Sequence, residues 1–228
     1  MIGIIAAMQI EADSLIAEMT ETSSETISGT TYIKGNLREK KIVVAVCGIG
    51  KCFAAMCAQT MILRYQPTLI INTGVAGALS DRLDIYDIAI ATSAVQHDFD
   101  TTDIDNDPIG NIPGIRLVNL PCSQNVAQTL IQLAKKLDIN VLPGVIATGD
   151  VFVSCKERKA FIRDTFTAIA CEMEGGAIAQ VCYVNDVECA IIRSISDNAD
   201  GEVEEYDKFK YKAAENSCKL LLEFLAKA

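Results

Sequence analysis

The sequence predicts an α/β fold: one domain over residues 1–228, built as a three-layer α/β/α sandwich around a central, mostly parallel mixed sheet. Three observations point there. Short unbroken apolar runs such as Ile4-Ile5-Ala6-Ala7 and Leu69-Ile70-Ile71 read as strands covered on both faces, because a strand with one wet face alternates apolar and polar residues. These runs alternate along the chain with segments of helical spacing, the pattern of a sheet with helices packed on it. No internal repeat, low-complexity stretch or linker divides the chain.

Residues 2–7 form the first expected strand. Gln9 to Met19 follows, with Ile10, Leu15, Ile16 and Met19 at roughly helical spacing. Thr26–Gly35 and Lys41–Cys47 read as strands, the second running into Cys47-Gly48-Ile49-Gly50. The alanine- and methionine-rich segment Lys51–Tyr65 is a helix stopped by Pro67, whose ring cannot continue it. Thr68–Asn72 is an apolar strand leading into Thr73-Gly74-Val75-Ala76-Gly77, and Asp87–Val95 is another strand. Gln96–Arg116 is polar, contains Pro108 and Pro113, and reads as a long loop; loops of that length inside a compact domain are usually functional or mobile. A helix at Ser123–Leu137, strands at Val141–Thr148 and Ala168–Glu172, a helix at Glu174–Tyr183 and a strand at Glu188–Ser194 continue the alternation. The last helix spans Asp207–Lys227, with Phe209, Ala213, Ala214, Cys218, Leu221 and Leu225 on its apolar face.

Composition narrows the function classes. Half of the residues are apolar, and a chain of this length buries a sizeable core without disulfides or metals. The nine cysteines are scattered with no CxxC pair, and histidine occurs once, at His97, so a thiolate or imidazole metal site has little support. The odd cysteine count fits reduced, mostly buried thiols. The formal net charge of −10, with no Lys/Arg cluster to offset it, repels phosphate backbones and argues against a nucleic-acid partner. The apolar stretch Met1–Met8 is too short to span a membrane, and no basic residue precedes it as in a signal peptide, so a cytoplasmic protein is expected.

Gly48-Ile49-Gly50-Lys51 invites comparison with phosphate-binding loops and fails both tests. A P-loop needs Gly where Ala45 stands and Ser or Thr where Cys52 stands; the dinucleotide fingerprint needs Gly where Phe53 stands. The segment reads as a tight strand-to-helix turn whose glycines leave room for a ligand near the backbone. Thr73–Gly77 is either a plain turn or part of a pocket, since ligands in open α/β sheets collect at the carboxyl ends of strands. Glu11 alone reads as a first-turn acid favoured by the helix dipole. Glu172 and Glu174 are harder to set aside. They end a buried strand ahead of Gly175-Gly176-Ala177, and burying a carboxylate is costly unless it is paired or hydrogen-bonded. Arg193 and Asp197 close another apolar strand, where an Arg–carboxylate ion pair explains them structurally and is compatible with function. His97-Asp98 reads as a structural hydrogen-bonding pair at a strand end, and Lys156-Glu157-Arg158-Lys159 as a solvated helix face.

Together these segments resemble the 5′-methylthioadenosine/S-adenosylhomocysteine nucleosidases of the nucleoside phosphorylase superfamily. The matching stretches are Ile2–Met8 with Glu11, Cys47–Lys51, Ile71–Gly77, Thr148-Gly149-Asp150-Val151-Phe152, Glu172-Met173-Glu174 and Arg193-Ser194-Ile195-Ser196-Asp197. Their order and spacing match across nearly the whole chain. The resemblance implies a nucleoside phosphorylase-like fold and hydrolysis of the N-glycosidic bond of an adenine nucleoside, with no metal or cofactor. It also implies roles. Glu11 would position and activate water, and Asp197 would protonate adenine at N7. Glu174 would hold the ribose hydroxyls, with Met173 beneath the sugar. Phe152 would stack on the purine while the backbone of Val153 reads its Watson–Crick edge. Met8, Ile49, Gly77 and Phe209 would line the rest of the pocket.

The chemistry is coherent on its own terms. Adenine leaves poorly as an anion, so an acid must neutralise it, and a second carboxylate stabilises the oxocarbenium-like sugar; glycosidases divide the work in the same way. Asp197 must hold a proton near neutral pH, so a raised pKa is expected. The chain departs from the family in two places. Val75 stands where the family has a serine whose hydroxyl supports the catalytic aspartate, so Asp197 needs another partner or is held differently. Ile104 stands in the long loop where the family often places an aromatic; there the loop reaches into the partner's pocket, which implies a homodimer completed by residues 96–116. The rival readings are a phosphorylase and a non-catalytic nucleoside-binding relative. Against the first, Asn72 and Val75 stand where related phosphorylases carry Arg and Ser for phosphate. Against the second, Glu11, Glu174 and Asp197 are all present.

Overall fold

The computed structural model describes residues 1–200 and 203–227. Its centre is a ten-stranded sheet in which β4 (Lys40–Val46), β1 (Ile2–Ala6), β5 (Leu69–Ala78) and β10 (Glu188–Asp197) lie side by side and parallel in that order. The apolar runs of the sequence are these strands, and every residue of β5 is buried. Alternate side chains feed two cores. Ile5, Val43 and Ile70 pack with α2 (Lys51–Tyr65) and α6 (Gly175–Val184), whereas Ile4, Val44 and Ile71 pack with α4 (Gln124–Lys136) and α7 (Val203–Leu225). Helices therefore cover both faces, as the unbroken apolar strands require.

The far side of the sheet closes on itself, which the sequence did not announce. β6 (Ile88–Gln96) pairs antiparallel with β10, β8 (Val141–Thr148) runs parallel to β6, and β9 (Ala168–Glu172) runs parallel to β8. β9 then pairs antiparallel with the end of β5 through Gly77↔Cys171 and Ala78↔Ala170. Because Asp197 is in register with Gly77, the closure sets Gly77, Cys171 and Asp197 side by side. It thereby gathers the ends of three strands that are distant in sequence.

Several local expectations change. Thr26–Gly35, expected as one strand, straddles a hairpin of β2 (Thr20–Ile27) and β3 (Thr30–Leu37). Its two-residue turn, Ser28-Gly29, has both φ angles positive, the form that matches strand twist. β2 is almost entirely exposed, so no apolar alternation marks it. Gln9–Met19 is not one helix. A 3₁₀ turn at Gln9–Glu11 precedes the short α1 (Asp13–Ala17), because Glu11 folds back onto the backbone N–H groups of Ala7 and Met8. Thr73–Gly77 is a continuation of β5 and not a turn, and β10 runs three residues past Ser194 to Asp197. The Gln96–Arg116 segment contains only α3 (Thr102–Asp105). Its Ile112 is buried and Phe99 packs against the chain's own core, so Ile104, 86% exposed, is the large apolar residue that projects from it. The strand β7 (Leu120–Pro121) and the helix α5 (Lys156–Phe166) complete the elements. Among the described residues no helix is long and apolar enough to cross a membrane.

Candidate active site

Glu11 reaches the site through its local fold-back. Its Oε2 accepts the N–H groups of Ala7 at 3.0 Å and Met8 at 2.9 Å, and its Oε1 accepts the N–H of Val75 at 3.0 Å. The carboxyl is 2% exposed. Burial pushes its pKa up; the Arg193 charge and the three N–H donors oppose this without cancelling it. Gly74 makes the site possible, because a Cβ there would stand 2.5 Å from Glu11 Oε1. Gly77 does the same for the other acid: its Cβ would stand 2.8 Å from Asp197 Oδ1. The glycines of Thr73–Gly77 thus clear space for two carboxylates within a continuing strand.

Among the described residues Asp197 forms no ion pair. Its Oδ2 accepts the Ser196 hydroxyl at 2.9 Å and its Oδ1 accepts the Ala199 N–H at 3.0 Å. Burial raises its pKa, and these two bonds offset the rise only in part. A raised value was the sequence expectation for an acid that holds its proton. The partner called for by Val75 is therefore the adjacent Ser196 together with Ala199, while Val75 itself packs on Ala213 and Ala214 of α7.

The Arg193–Asp197 ion pair considered from the sequence does not form. Arg193, 1% exposed, binds Glu172 and Asn72 closely, with Glu174 Oε2 at 3.8 Å. The register shift between Ile195 and Asp197 takes Asp197 off the face that Arg193 occupies. The two glutamates around Met173 divide accordingly. Glu172 is held by Arg193, by the Thr148 hydroxyl and by the N–H groups of Glu174 at 3.1 Å and Gly175 at 2.7 Å. Among the described residues Glu174 accepts only the Gly50 N–H, at 2.9 Å, besides its longer contact with Arg193. Burial, followed by the neighbouring Glu172 charge, pushes the Glu174 carboxyl up to about 7.

Glu11, Glu174 and Asp197 converge on one cavity of about 280 Å³, walled by Met8, Ile49, Phe152, Met173 and Tyr206. A recess of about 40 Å³ adjoins it, bounded by Val153 and Cys171 and sharing Gly77, Phe152, Met173 and Asp197 with the larger space. Every residue expected at the site is thus brought together except Phe209, whose ring packs edge-on against Tyr86 at 5.6 Å. Tyr206, one helical turn earlier, takes the place at the wall. Its hydroxyl lies 3.3 Å from Met8 Sδ, and its ring meets Phe152 edge-on at 5.4 Å. The signal for it is present, since Tyr206, Phe209 and Ala213 share an i, i+3, i+7 stripe, but a helix begun at Asp207 starts four residues after the observed Val203 and leaves Tyr206 outside. Among the described residues no lysine or arginine lines the cavity.

Four buried acids, Glu11, Glu172, Glu174 and Asp197, in a pocket at the strand ends of a partly closed α/β sheet define the class. The chain belongs to the phosphorylase superfamily, whose family model matches residues 1–226. Within it the chain is similar to the 5′-methylthioadenosine/S-adenosylhomocysteine nucleosidase of Shewanella loihica, at 38% identity over 231 residues and 98% of each chain. Among solved structures it is similar to a mutant of the Helicobacter pylori nucleosidase with 5′-methylthioadenosine in the active site, at 36% identity and a TM-score of 0.95, covering 100% of this chain and 98% of that one. It is similar also to the futalosine hydrolase of Helicobacter pylori, at 36% identity and a TM-score of 0.95, covering 100% and 97%.

Proposed function

We propose that this chain hydrolyses the N-glycosidic bond of 5′-methylthioadenosine, S-adenosylhomocysteine or a related 5′-modified adenosine, releasing adenine and the 5′-substituted ribose. The observation that carries the reading is the convergence of Glu11, Glu174 and Asp197 on one cavity that, among the described residues, no cationic side chain lines. Asp197, its pKa raised by burial, donates its proton to adenine N7 as the bond breaks. Glu11, held by three N–H groups, orients water and takes its proton, and its negative charge faces the oxocarbenium-like sugar. Glu174 accepts the ribose hydroxyls and Met173 supports the sugar. Phe152 stacks on the purine, the Val153 backbone reads the purine edge, and Met8, Ile49, Gly77 and Tyr206 complete the enclosure.

Water is favoured over phosphate as nucleophile because the Arg193 guanidinium is engaged by Glu172 and Asn72 and is not among the cavity's lining residues. In phosphate-free buffer, adenine is therefore expected to appear from 5′-methylthioadenosine at the same rate as with phosphate added, as read by chromatography. A requirement for phosphate, with ribose 1-phosphate as product, would refute the hydrolase reading.

The reading includes a homodimer. Ile49, in the turn ahead of α2, and Phe53 and Met56, at i and i+3 on α2, are 53%, 56% and 52% exposed, and Ile49 also lines the cavity. A second copy covering these residues buries them and lets Ile104, with the rest of the 96–116 loop, complete the neighbouring pocket. Phe53→Glu is expected to yield a monomer by light scattering, with KM raised. Full activity from a monomeric unmodified chain would contradict this. Free thiols at all nine cysteines support a reducing, cytoplasmic setting.

A further inference from the structure

Two loops contribute walls of the cavity, and a third, which lends it no residue among those described, ties them together. The loop after β4 supplies Ile49 to the wall and the Gly50 N–H that holds Glu174. The loop after β8 supplies Phe152 and Val153. The loop after β6 opens with His97 and Asp98, and the Asp98 carboxylate joins the other two. Its Oδ2 accepts the Asp150 N–H at 2.8 Å and its Oδ1 accepts the Lys51 ammonium at 2.6 Å. The Asp150 carboxylate in turn accepts the Lys51 N–H at 2.7 Å, and Lys51 Nζ also reaches Gln96 Oε1 at 3.3 Å.

The contacts close into a ring: Lys51 backbone to Asp150, Asp150 backbone to Asp98, Asp98 to the Lys51 side chain. Gly50 lets it close, because a Cβ there would stand 3.0 Å from Asp150 Oδ1. Burial pushes the Asp98 carboxyl up, yet the Lys51 ammonium and the Asp150 N–H outweigh it and hold the group below its usual range. With side chains 19% and 29% exposed, Lys51 and Asp98 are better shielded than an ordinary surface pair. The ring ends one residue from Gly50 on one side and two residues from Phe152 on the other.

We propose that Lys51, Asp98 and Asp150 are positioning residues for nucleoside binding, in an inference that rests on the hydrolase reading above. They hold the Gly50 N–H, and through it Glu174, at a set distance from Phe152, so that the ribose clamp and the purine stack stand ready before substrate arrives. Loops ordered in advance do not charge their ordering entropy against affinity.

The test compares Asp98→Asn and Lys51→Met with Lys51→Arg, which keeps the charge and its donors. Losing one charge-assisted contact is expected to raise KM for 5′-methylthioadenosine about tenfold, with kcat changed by less than about threefold. Amide exchange is expected to quicken at residues 47–51 and 149–154 together, and Lys51→Arg to restore most of both effects. A ring that served stability alone would lower Tm and the active fraction while leaving KM unchanged. An unchanged KM in Asp98→Asn overturns the proposal, and so does a raised KM without faster exchange in both loops. Unmodified protein assayed alongside separates the two claims. If it releases no adenine, the hydrolase reading falls, and the positioning role is decided by exchange, where unchanged protection in the variants overturns it.

Discussion

Asp197→Asn is expected to lower kcat for adenine release by about 10²- to 10⁴-fold, the usual contribution of a general acid, while an unreactive adenosine analogue still binds. The fold should tolerate the change. The Ala199 N–H keeps an amide oxygen to donate to, and the Ser196 hydroxyl turns from donor to acceptor to meet the new NH₂ group. What disappears is a proton that can leave. The pH dependence separates this from a structural effect. Burial raises the Asp197 pKa, so the protonated, active form persists to higher pH, and the rate falls as pH rises through that value. Glu11 and Glu174, both raised as well, are needed as anions and set the limb on which the rate climbs. The variant should keep the climbing limb and lose the falling one. A falling limb retained in Asp197→Asn would place the acid on another group, and loss of folding together with binding would make the residue structural.

Arg193→Met is expected to lower stability by about 3–5 kcal/mol, the cost of removing one partner from a buried ion pair. Arg193 is fully enclosed and faces Glu172, Glu174 and Glu11, so its loss leaves a buried cluster of acids without its cation. The deficit should depend on pH, with a definite sign. An acid whose pKa is raised on folding favours the folded state only where it is protonated there, so its stabilising effect is lost as pH rises from the unfolded value through the folded one. For Glu174 that window runs from 4.5 to about 7, and removing Arg193, which lowers this pKa, extends it upward. Urea unfolding at pH 5 and pH 8 should therefore show a larger deficit at pH 8. Equal deficits below about 1 kcal/mol at both values would mean that Arg193 does not hold the acids together.

The parts of this structure legible in the sequence are those where local pattern and burial coincide. β8 and β9 fall on Val141–Thr148 and Ala168–Glu172 as the apolar runs indicate, and α2 ends where Gln66 and Pro67 stop it. Glu172 and Glu174 stand out because acids at the end of a buried strand must be paired or used, whereas Glu11 and Asp197 have bland local readings and join them only through the family resemblance. What escaped depends on contacts remote in sequence or on surfaces without a pattern. The exposed β2 gave no periodicity, so the hairpin was halved. The pairing of β9 with the end of β5 joins residues 94 positions apart for Gly77 and Cys171, and nothing local encodes it. The partner of Arg193 was misassigned because a register shift near Ile195 breaks strand alternation, and Phe99 and Ile112 look free in a polar loop yet fold into their own core. Tyr206 escapes because the expected helix start, Asp207, lies four residues past the observed Val203, and helix ends are where assignments differ.

The most direct measurement of the central claim is a crystal structure with an unreactive adenine nucleoside bound. The account predicts the ligand in the cavity of Glu11, Glu174 and Asp197, with an Asp197 carboxyl oxygen about 2.6–3.2 Å from purine N7 and the ribose hydroxyls on Glu174. A water held by Glu11 should sit on the face of C1′ opposite the base. A nucleoside bound elsewhere, or one whose N7 points away from Asp197 with the ribose away from Glu174, would contradict it.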